Sequence, residues 1–317
     1  MFPLALGCMG MSGMYGAADE AESIATIHAA LDAGVTLLDT GDYYGAGHNE
    51  LLIGRALRDR RDTRDRALVS VKFGALRAPD GSWIGIDTRP AAAKNFIAYT
   101  LTRLGLDHVD IYRPGRLDPN LPIEETIGGL ADLVKAGYVR AIGLSEVGPD
   151  TIRRANAVHP ICDLQIEYSL VSRGLERAIL PVLAELGIGV TAYGVLSRGL
   201  LSGSKPKPQG DFRAWLPRFT SENRERNQQL IEALQKLAAD RNVSASQLAI
   251  AWVLAKGASV VPVVGARTRA QLEESLGALN VVLTPADLAQ IEAAVPAAAV
   301  AGSRYDEHQM RVLDSER

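Results

Sequence analysis

Eight short apolar runs, each followed by a longer amphipathic segment, constrain the fold of this 317-residue chain more than any other feature. Continuous apolar runs of this length are typical of strands that are buried on both faces of a parallel sheet. The runs are residues 4–9, 35–39, 67–73, 109–112, 139–145, 162–168, 188–193 and 259–264. Eight strand–helix units at a spacing of about 35 residues predict an α/β protein, a single (β/α)8 TIM barrel domain over residues 1–317.

The segments between the runs predict helices that cover this barrel. Several have acidic residues in the first turn and a glycine just past the end, as Gly34 follows the first. The predicted helices are residues 19–34, 48–61, 89–105, 122–137, 148–158, 173–187, 223–241 and 268–279. An open doubly wound sheet would favour a glycine-rich turn after its first strand. The nearest match, "GIGVTA" at residues 187–192, leads from a helix into a strand, and we interpret it as a turn.

The longest irregular stretch is residues 197–223, which is rich in proline and glycine. It predicts a long loop after the seventh strand, and its aromatic residues Phe212, Trp215 and Phe219 favour a loop that packs against the barrel. The alternation of strands and helices continues on both sides of it, so no domain boundary is expected there.

The charge of the chain argues against several classes of partner. Its formal net charge is −3 with both signs interspersed, which makes nucleic acid and anionic membranes unfavourable partners. It has no apolar stretch of about 20 residues and no basic segment at its N-terminus. Cys8 and Cys162 lie in apolar runs and are expected to be buried thiols rather than disulfide or metal ligands. We therefore expect a soluble cytoplasmic protein without a metal, and the oligomeric state stays open.

Polar residues lie where two neighbouring strands end. In this type of barrel the chemistry occurs at the C-terminal ends of the strands. Lys72 lies inside an apolar run and needs a partner such as Asp39, at the end of the preceding strand. An ammonium group close to the phenol of Tyr44 would lower its pKa and let it act as a general acid. The alternative is a salt bridge that closes the barrel with Tyr44 packed over its rim, but the combination favours a catalytic site.

The sequence resembles the aldo-keto reductases over almost the whole chain. The motifs that carry the resemblance are "LLDTGDYYG", "VSVKFG", "YVRAIGLSEV", "LQIEYSL", "AYGVLSRGLLSG" and "VVPVVGARTRAQLEESLGAL". The resemblance implies hydride transfer from NADPH to a small aldehyde or ketone, as in a carbonyl reductase or alcohol dehydrogenase. It implies that Tyr44 is the proton donor, that Lys72 lowers its pKa and that Asp39 holds Lys72. Tyr43 is the alternative donor, but the five-residue step from Asp39 favours Tyr44.

The same resemblance implies residues that bind the nicotinamide. Ser145 and Gln165 match positions that hydrogen-bond its carboxamide, and Tyr193 matches the aromatic residue under its ring. Glu146 stands where many members have asparagine. The loop from Gly194 to Leu201 matches the segment that contacts the pyrophosphate. The pyrophosphate contacts predicted in this loop are Gly194, Leu196, Arg198 and Leu200.

Residues after the eighth strand match the part of the family's site that binds adenosine. They are Gly265, Arg267, Gln271, Glu274 and Ser275. Arg267 and Gln271 match the region of the 2'-phosphate, and Glu274 and Ser275 match the adenine contacts. A guanidinium suits a phosphate better than a ribose hydroxyl, so NADPH is favoured over NADH. The alternative for Arg267 is a solvated surface arginine.

The segment "IYRPGRLDP" departs from the family's pattern. Most members carry a histidine at the end of the fourth strand, where this chain has Gly115. Losing one hydrogen bond that orients the carbonyl would remove about 2.7–4 kcal/mol of transition-state stabilisation if nothing replaces it. Arg113 and Arg116 are candidates to compensate. The substitution keeps open a second function, a nicotinamide-binding sensor with vestigial reductase activity. A lyase or hydrolase has no supporting metal-ligand cluster or nucleophile–base spacing.

Overall fold

The computed structural model describes residues 2–60, 62, 65–206 and 211–317, and its centre is a closed parallel barrel. Each strand pairs with the next one along the chain, and the first pairs with the last. The strands are β1 (Ala5–Gly7), β2 (Leu37–Gly41), β3 (Leu68–Phe73), β4 (Val109–Pro114), β5 (Val139–Ser145), β6 (Ile161–Glu167), β7 (Gly189–Tyr193) and β8 (Val260–Gly265). The predicted (β/α)8 barrel is confirmed.

Helices cover the outside of the barrel, and each of the eight predicted helices overlaps one of them. They are α1 (Glu20–Asp32), α2 (His48–Asp59), α3 (Pro90–Leu104), α4 (Ile123–Lys135), α5 (Pro149–Val158), α6 (Leu175–Leu186), α7 (Ser221–Ala239), α8 (Ala245–Leu254), α9 (Arg269–Leu276), α10 (Pro285–Ala294) and α11 (Glu307–Val312). Residue 61, the end of the second predicted helix, lies outside the described residues. The helices α8, α10 and α11 were not predicted, nor was an antiparallel hairpin of Ala75–Arg77 and Trp83–Ile86.

The interior of the barrel is layered. Its lowest layer is apolar and contains Ala5, Leu37, Ile111 and Val263. Above it lies a buried ion pair, with Arg113 Nη2 3.0 Å from Asp163 Oδ2. Arg113 therefore points into the barrel, where it also donates to Ser70 Oγ at 3.0 Å. This pair lies directly below the residues at the C-terminal ends of the strands.

The segment between β7 and α7 contains short 3₁₀ turns at Ser197–Gly199, Phe212–Trp215 and Pro217–Phe219. Residues 207–210 of the predicted loop lie outside the described residues. Phe219 is buried and Phe212 packs against Tyr15, with ring centroids 5.2 Å apart. Trp215 is 85% exposed, so the expectation that it packs against the barrel is wrong. The residue type alone does not determine burial. Here the backbone directs the Trp215 ring to solvent.

Two further properties concern the cysteines and membranes. Cys8 is buried and Cys162 is exposed, so the prediction of a buried thiol is confirmed at Cys8 and wrong at Cys162. Cys162 lies in β6, and its Sγ is 3.3 Å from Oδ1 of the neighbouring Asp163. Within the described part of the chain, no helix is long and apolar enough to cross a membrane.

Candidate active site

A buried ion pair between β2 and β3 lies at the mouth of the barrel. Lys72 Nζ lies 2.7 Å from Asp39 Oδ2, and both residues are almost completely buried. The other carboxylate oxygen, Oδ1, accepts hydrogen bonds from Gln165 Nε2 at 2.8 Å and from Ser70 Oγ at 3.3 Å. The expected pairing of Asp39 with Lys72 is therefore confirmed. The carboxylate is held from three sides, which fixes the position of the ammonium group.

Tyr43 and Tyr44 follow β2 and lie over this pair. The ammonium of Lys72 is 5.3 Å from the centroid of the Tyr44 ring. The two tyrosine rings meet edge to face with centroids 4.9 Å apart. A β-carbon on Gly41 would lie 3.3 Å from Cε1 of each ring, so both rings pack directly over the end of β2. The structure thus brings the three predicted catalytic residues together.

That Lys72 lowers the pKa of Tyr44 stays a prediction, because burial dominates that pKa in this structure. The pKa of Tyr44 is raised well above its usual value, chiefly by burial and also by the nearby Tyr43 and Asp39, with Arg116 opposing the rise. The ammonium of Lys72 lies over the ring and is neutralised by Asp39. The pKa of Lys72 itself is lowered by burial, against the attraction of Asp39. Tyr44 therefore keeps its proton at neutral pH, as a proton donor must.

Ser145, at the end of β5, carries a buried hydroxyl that has no hydrogen-bond partner among the described residues. A buried polar atom without a partner is rare in folded proteins. Such an atom fits a site for a polar ligand group, and Ser145 is one of the two residues that the family resemblance predicts to bind the nicotinamide carboxamide. Gln165, its predicted companion, instead directs its amide group to Asp39 in this structure.

Tyr193, at the end of β7, is linked to the C-terminal segment of the chain. Its hydroxyl donates to Glu146 Oε1 at 2.7 Å and lies 3.0 Å from the hydroxyl of Tyr305. Glu146 also accepts from Arg304 Nη2 at 2.5 Å and from Ser315 Oγ at 2.6 Å. The pKa of Glu146 is held down to about 2, because these hydrogen bonds outweigh the effect of its burial. Glu146 therefore anchors residues 304–315 against the barrel.

The loop that follows β7 turns tightly, with positive φ angles at Gly194, Ser197, Arg198 and Gly199. The amides of Ser197 and Leu200 donate to carbonyls within the loop, those of Gly194 and Ser197. The side chain of Arg198 pairs with Glu167 at 3.1 Å and lies over the ring of Tyr305 at 4.5 Å. Leu196 is half-buried, and Leu200 is buried in a small apolar cluster. The loop thus presents a guanidinium close to Tyr193.

The residues predicted to bind adenosine begin at Gly265, the last residue of β8, and continue into α9. The backbone amide of Arg267 donates to Gln271 Oε1 at 2.9 Å, and its guanidinium donates to the Tyr15 carbonyl at 3.2 Å. Ser275 is buried and its hydroxyl donates to the Gln271 carbonyl at 2.9 Å. Gly265 and Glu274 are exposed. Arg267 is half-buried, which disfavours the interpretation of a freely solvated arginine.

Several charged residues around the mouth were missed by the sequence analysis. Glu167 pairs with Arg198 and, at 3.2 Å, with Arg218. Glu167 is a charge within an apolar run, the same signal that identified Lys72, and that signal would have found it. Arg304 and Tyr305 come from the terminal segment, where no motif or periodicity marks them.

Comparison with known proteins agrees with this geometry. The sequence profile of the Aldo/keto reductase family matches residues 3–296. The chain belongs to the aldo/keto reductase family. This membership implies a nicotinamide cofactor and a small-molecule carbonyl substrate.

Individual members of the aldo/keto reductase family support the assignment. A probable aldo-keto reductase of Glycine max is 42% identical over 308 residues, which are 95% of this chain and 88% of that protein. The structure of a glycerol dehydrogenase from Gluconobacter oxydans superposes with a TM-score of 0.83 at 30% identity, over 93% of this chain and 92% of the other. An aldo-keto reductase from Bacillus halodurans in its holo form has a TM-score of 0.77 at 27% identity, over 97% and 95% of the two chains.

Proposed function

We propose that this protein transfers a hydride from NADPH to an aldehyde or ketone, with Tyr44 as the general acid and Lys72 and Asp39 as its supporting pair. The observation that carries the proposal is the buried Lys72–Asp39 ion pair, whose ammonium lies 5.3 Å from the centre of the Tyr44 ring. A buried charged pair directly under a buried phenol is an arrangement that concentrates at catalytic sites. It also supports Tyr44 over Tyr43 as the donor.

In the proposed reaction, NADPH supplies the hydride that reduces the carbonyl carbon. Tyr44 gives its proton to the carbonyl oxygen, and the phenolate that remains is stabilised by the ammonium of Lys72. Asp39 keeps that ammonium in place through its contacts with Gln165 and Ser70. The unpartnered Ser145 hydroxyl would hydrogen-bond the nicotinamide carboxamide, and Tyr193 would hold the nicotinamide ring.

The preference for NADPH rests on Arg267. Its guanidinium is half-buried and reaches the loop after β1 at the Tyr15 carbonyl. A guanidinium there offers further N–H groups to a phosphate, and a charge-assisted hydrogen bond of this kind is about twice as strong as a neutral one. The rest of the adenosine would be contacted from the same side of the barrel by Gln271, Glu274 and Ser275.

A carbonyl panel tests the proposal. The purified protein is mixed with NADPH and a set of aromatic and aliphatic aldehydes and ketones, and NADPH oxidation is followed in a stopped-flow instrument. We expect turnover on small aromatic aldehydes. Tight NADPH binding without turnover on any carbonyl would favour the alternative function, a nicotinamide-binding sensor. Absence of both binding and turnover would contradict the proposal.

A further inference from the structure

The space above Gly115 is filled by the side chain of Tyr43. A β-carbon on Gly115 would lie 3.3 Å from the Tyr43 hydroxyl, 3.4 Å from Tyr43 Cε1 and 3.4 Å from the carbonyl oxygen of Phe73. Gly115 does not have a positive φ, so its backbone conformation is open to any residue. The backbone at this position therefore does not require glycine. The absence of a side chain instead leaves room for Tyr43.

The ring that carries this hydroxyl packs against Tyr44. The two tyrosine rings lie 4.9 Å apart between centroids and are nearly perpendicular, at 82°. On its other side, the ring of Tyr43 meets the edge of Trp83 at 6.2 Å between centroids. Tyr43 is thus fixed by ring contacts on two sides, with its hydroxyl over Gly115.

The charges around Tyr43 suit a hydrogen-bond donor. Burial raises the pKa of Tyr43 to about 12, and the guanidinium of Arg116 opposes that rise. Arg116 is held in place by its bonds to the Gly115 carbonyl, at 2.7 Å, and to the Tyr305 hydroxyl, at 3.3 Å. Tyr43 keeps its proton at neutral pH, while the nearby positive charge makes that proton a stronger donor.

We propose that Tyr43 is a second hydrogen-bond donor to the carbonyl oxygen of the substrate, in the space that Gly115 leaves open. This inference rests on the proposed function. In the reaction, Tyr44 transfers its proton to the carbonyl oxygen as the hydride reaches the carbonyl carbon. Tyr43 transfers none: it donates a hydrogen bond to the same oxygen while negative charge develops there. The chain thereby recovers, from the residue next to the general acid, the donor that Gly115 cannot supply.

Tyr43→Phe removes the hydroxyl and keeps the ring contacts with Tyr44 and Trp83. We expect kcat to fall by about 100-fold, as when one donor to a developing oxyanion is removed. The affinity for NADPH and the melting temperature should stay close to those of the parent protein. A Tyr43→Phe variant with unchanged kcat, in a protein whose Tyr44→Phe variant is inactive, would overturn this inference and leave the proposed function standing. A parent protein that reduces no carbonyl would overturn both.

A double-mutant cycle with Gly115→Ala tests the spatial part of the inference. The added methyl group would lie 3.3 Å from the Tyr43 hydroxyl, which must shift by a few tenths of an ångström, so kcat should fall in the parent background. In the Tyr43→Phe background the hydroxyl is absent, and the same methyl group should have little further effect. Contacting residues that act together give non-additive changes of this kind. Fully additive losses would mean that Gly115 and Tyr43 act independently, and the inference would fail.

Discussion

Lys72 Nζ lies 2.7 Å from Asp39 Oδ2, in a position that solvent hardly reaches. A buried charge that loses its partner is destabilised by several kcal/mol, whereas replacing both charges with apolar groups is often neutral. The ion pair therefore contributes to the stability of the fold and, in the proposed function, to catalysis. Single and double substitutions can separate these two contributions.

Lys72→Met leaves the Asp39 carboxylate buried without its counterion. We expect the free energy of unfolding to fall by about 3–5 kcal/mol, measured by urea denaturation. Asp39→Leu combined with Lys72→Met should recover much of this stability while remaining inactive. The control is Arg153→Met, which breaks a half-exposed pair with Glu185 and should change the stability by less than about 1 kcal/mol. An active double variant would refute the chemical role of the pair.

Arg267→Ala should weaken the binding of NADPH by about 10- to 100-fold, because a hydrogen bond to a charged group contributes about 1.5–3 kcal/mol. NADH lacks the 2'-phosphate, and its binding should change little. Fluorescence titration with the two cofactors measures the difference. The control is Arg269→Ala, since Arg269 is exposed and paired with Glu22 at 2.9 Å. Equal losses for NADPH and NADH in the Arg267 variant would disprove the phosphate contact.

Asp42 makes the stability of the protein depend on pH. Its pKa is raised to about 8 by burial and by the nearby carboxylate of Glu50, with Arg103 opposing the rise. The folded state thus holds this proton up to a higher pH than the unfolded state, whose carboxyl has its ordinary low pKa. The proton on Asp42 stabilises the folded state fully at low pH. This stabilisation is lost as the pH rises from about 4 through about 8.

We expect Asp42→Asn to remove this loss, and to be more stable than the parent protein at pH 9 by an amount on the order of 1–3 kcal/mol. Urea denaturation of both proteins at pH 5 and pH 9 measures it. Because Asp42 directly precedes the two tyrosines, the activity of the parent protein should be compared over the same range. Parallel stability curves for the two proteins would show that Asp42 does not titrate as described.

Gly143 leaves room for the ion pair below the site. A β-carbon there would lie 2.5 Å from Asp163 Oδ1 and 3.1 Å from Arg113 Cζ. Gly143→Ala should therefore destabilise the protein by about 1–3 kcal/mol or more through overpacking. Gly128→Ala is the control, because no described atom beyond its chain neighbours and the backbone of its own helix lies within 4 Å of its β-carbon position. That substitution, inside α4, should be neutral or stabilising by up to about 1 kcal/mol, and thermal melts compare the two.

Much of this molecule could be predicted from local sequence patterns. The apolar runs that gave the barrel strands are buried on both sides, so their pattern depends little on distant residues. The helix α8 was missed because it is apolar nearly all round, although the capping box of Ser244 and Gln247 marks its beginning. The hairpin at Ala75–Arg77 was missed because its strands are short and partly exposed.

The site was predictable where a charge interrupts an apolar strand, as at Lys72, and not where contacts join distant segments. The direction of Arg113 could not be read from alternation alone, because the phase of a short strand is ambiguous. The bond between Arg304 and Glu146 spans 158 residues, and no local pattern encodes it. The position of Tyr43 over Gly115 likewise depends on the fold that brings β2 and β4 to one rim.

The central claim is that the hydroxyl of Tyr44 is the proton donor. Its most direct test is the single-turnover rate of carbonyl reduction by Tyr44→Phe, with NADPH binding measured on the same sample. The control is Tyr99→Phe, which changes an exposed tyrosine of α3. The account predicts a fall of at least about 100-fold in the rate with unchanged NADPH affinity, and full activity in the control. A Tyr44→Phe variant that reduces the substrate at the parent rate would contradict it.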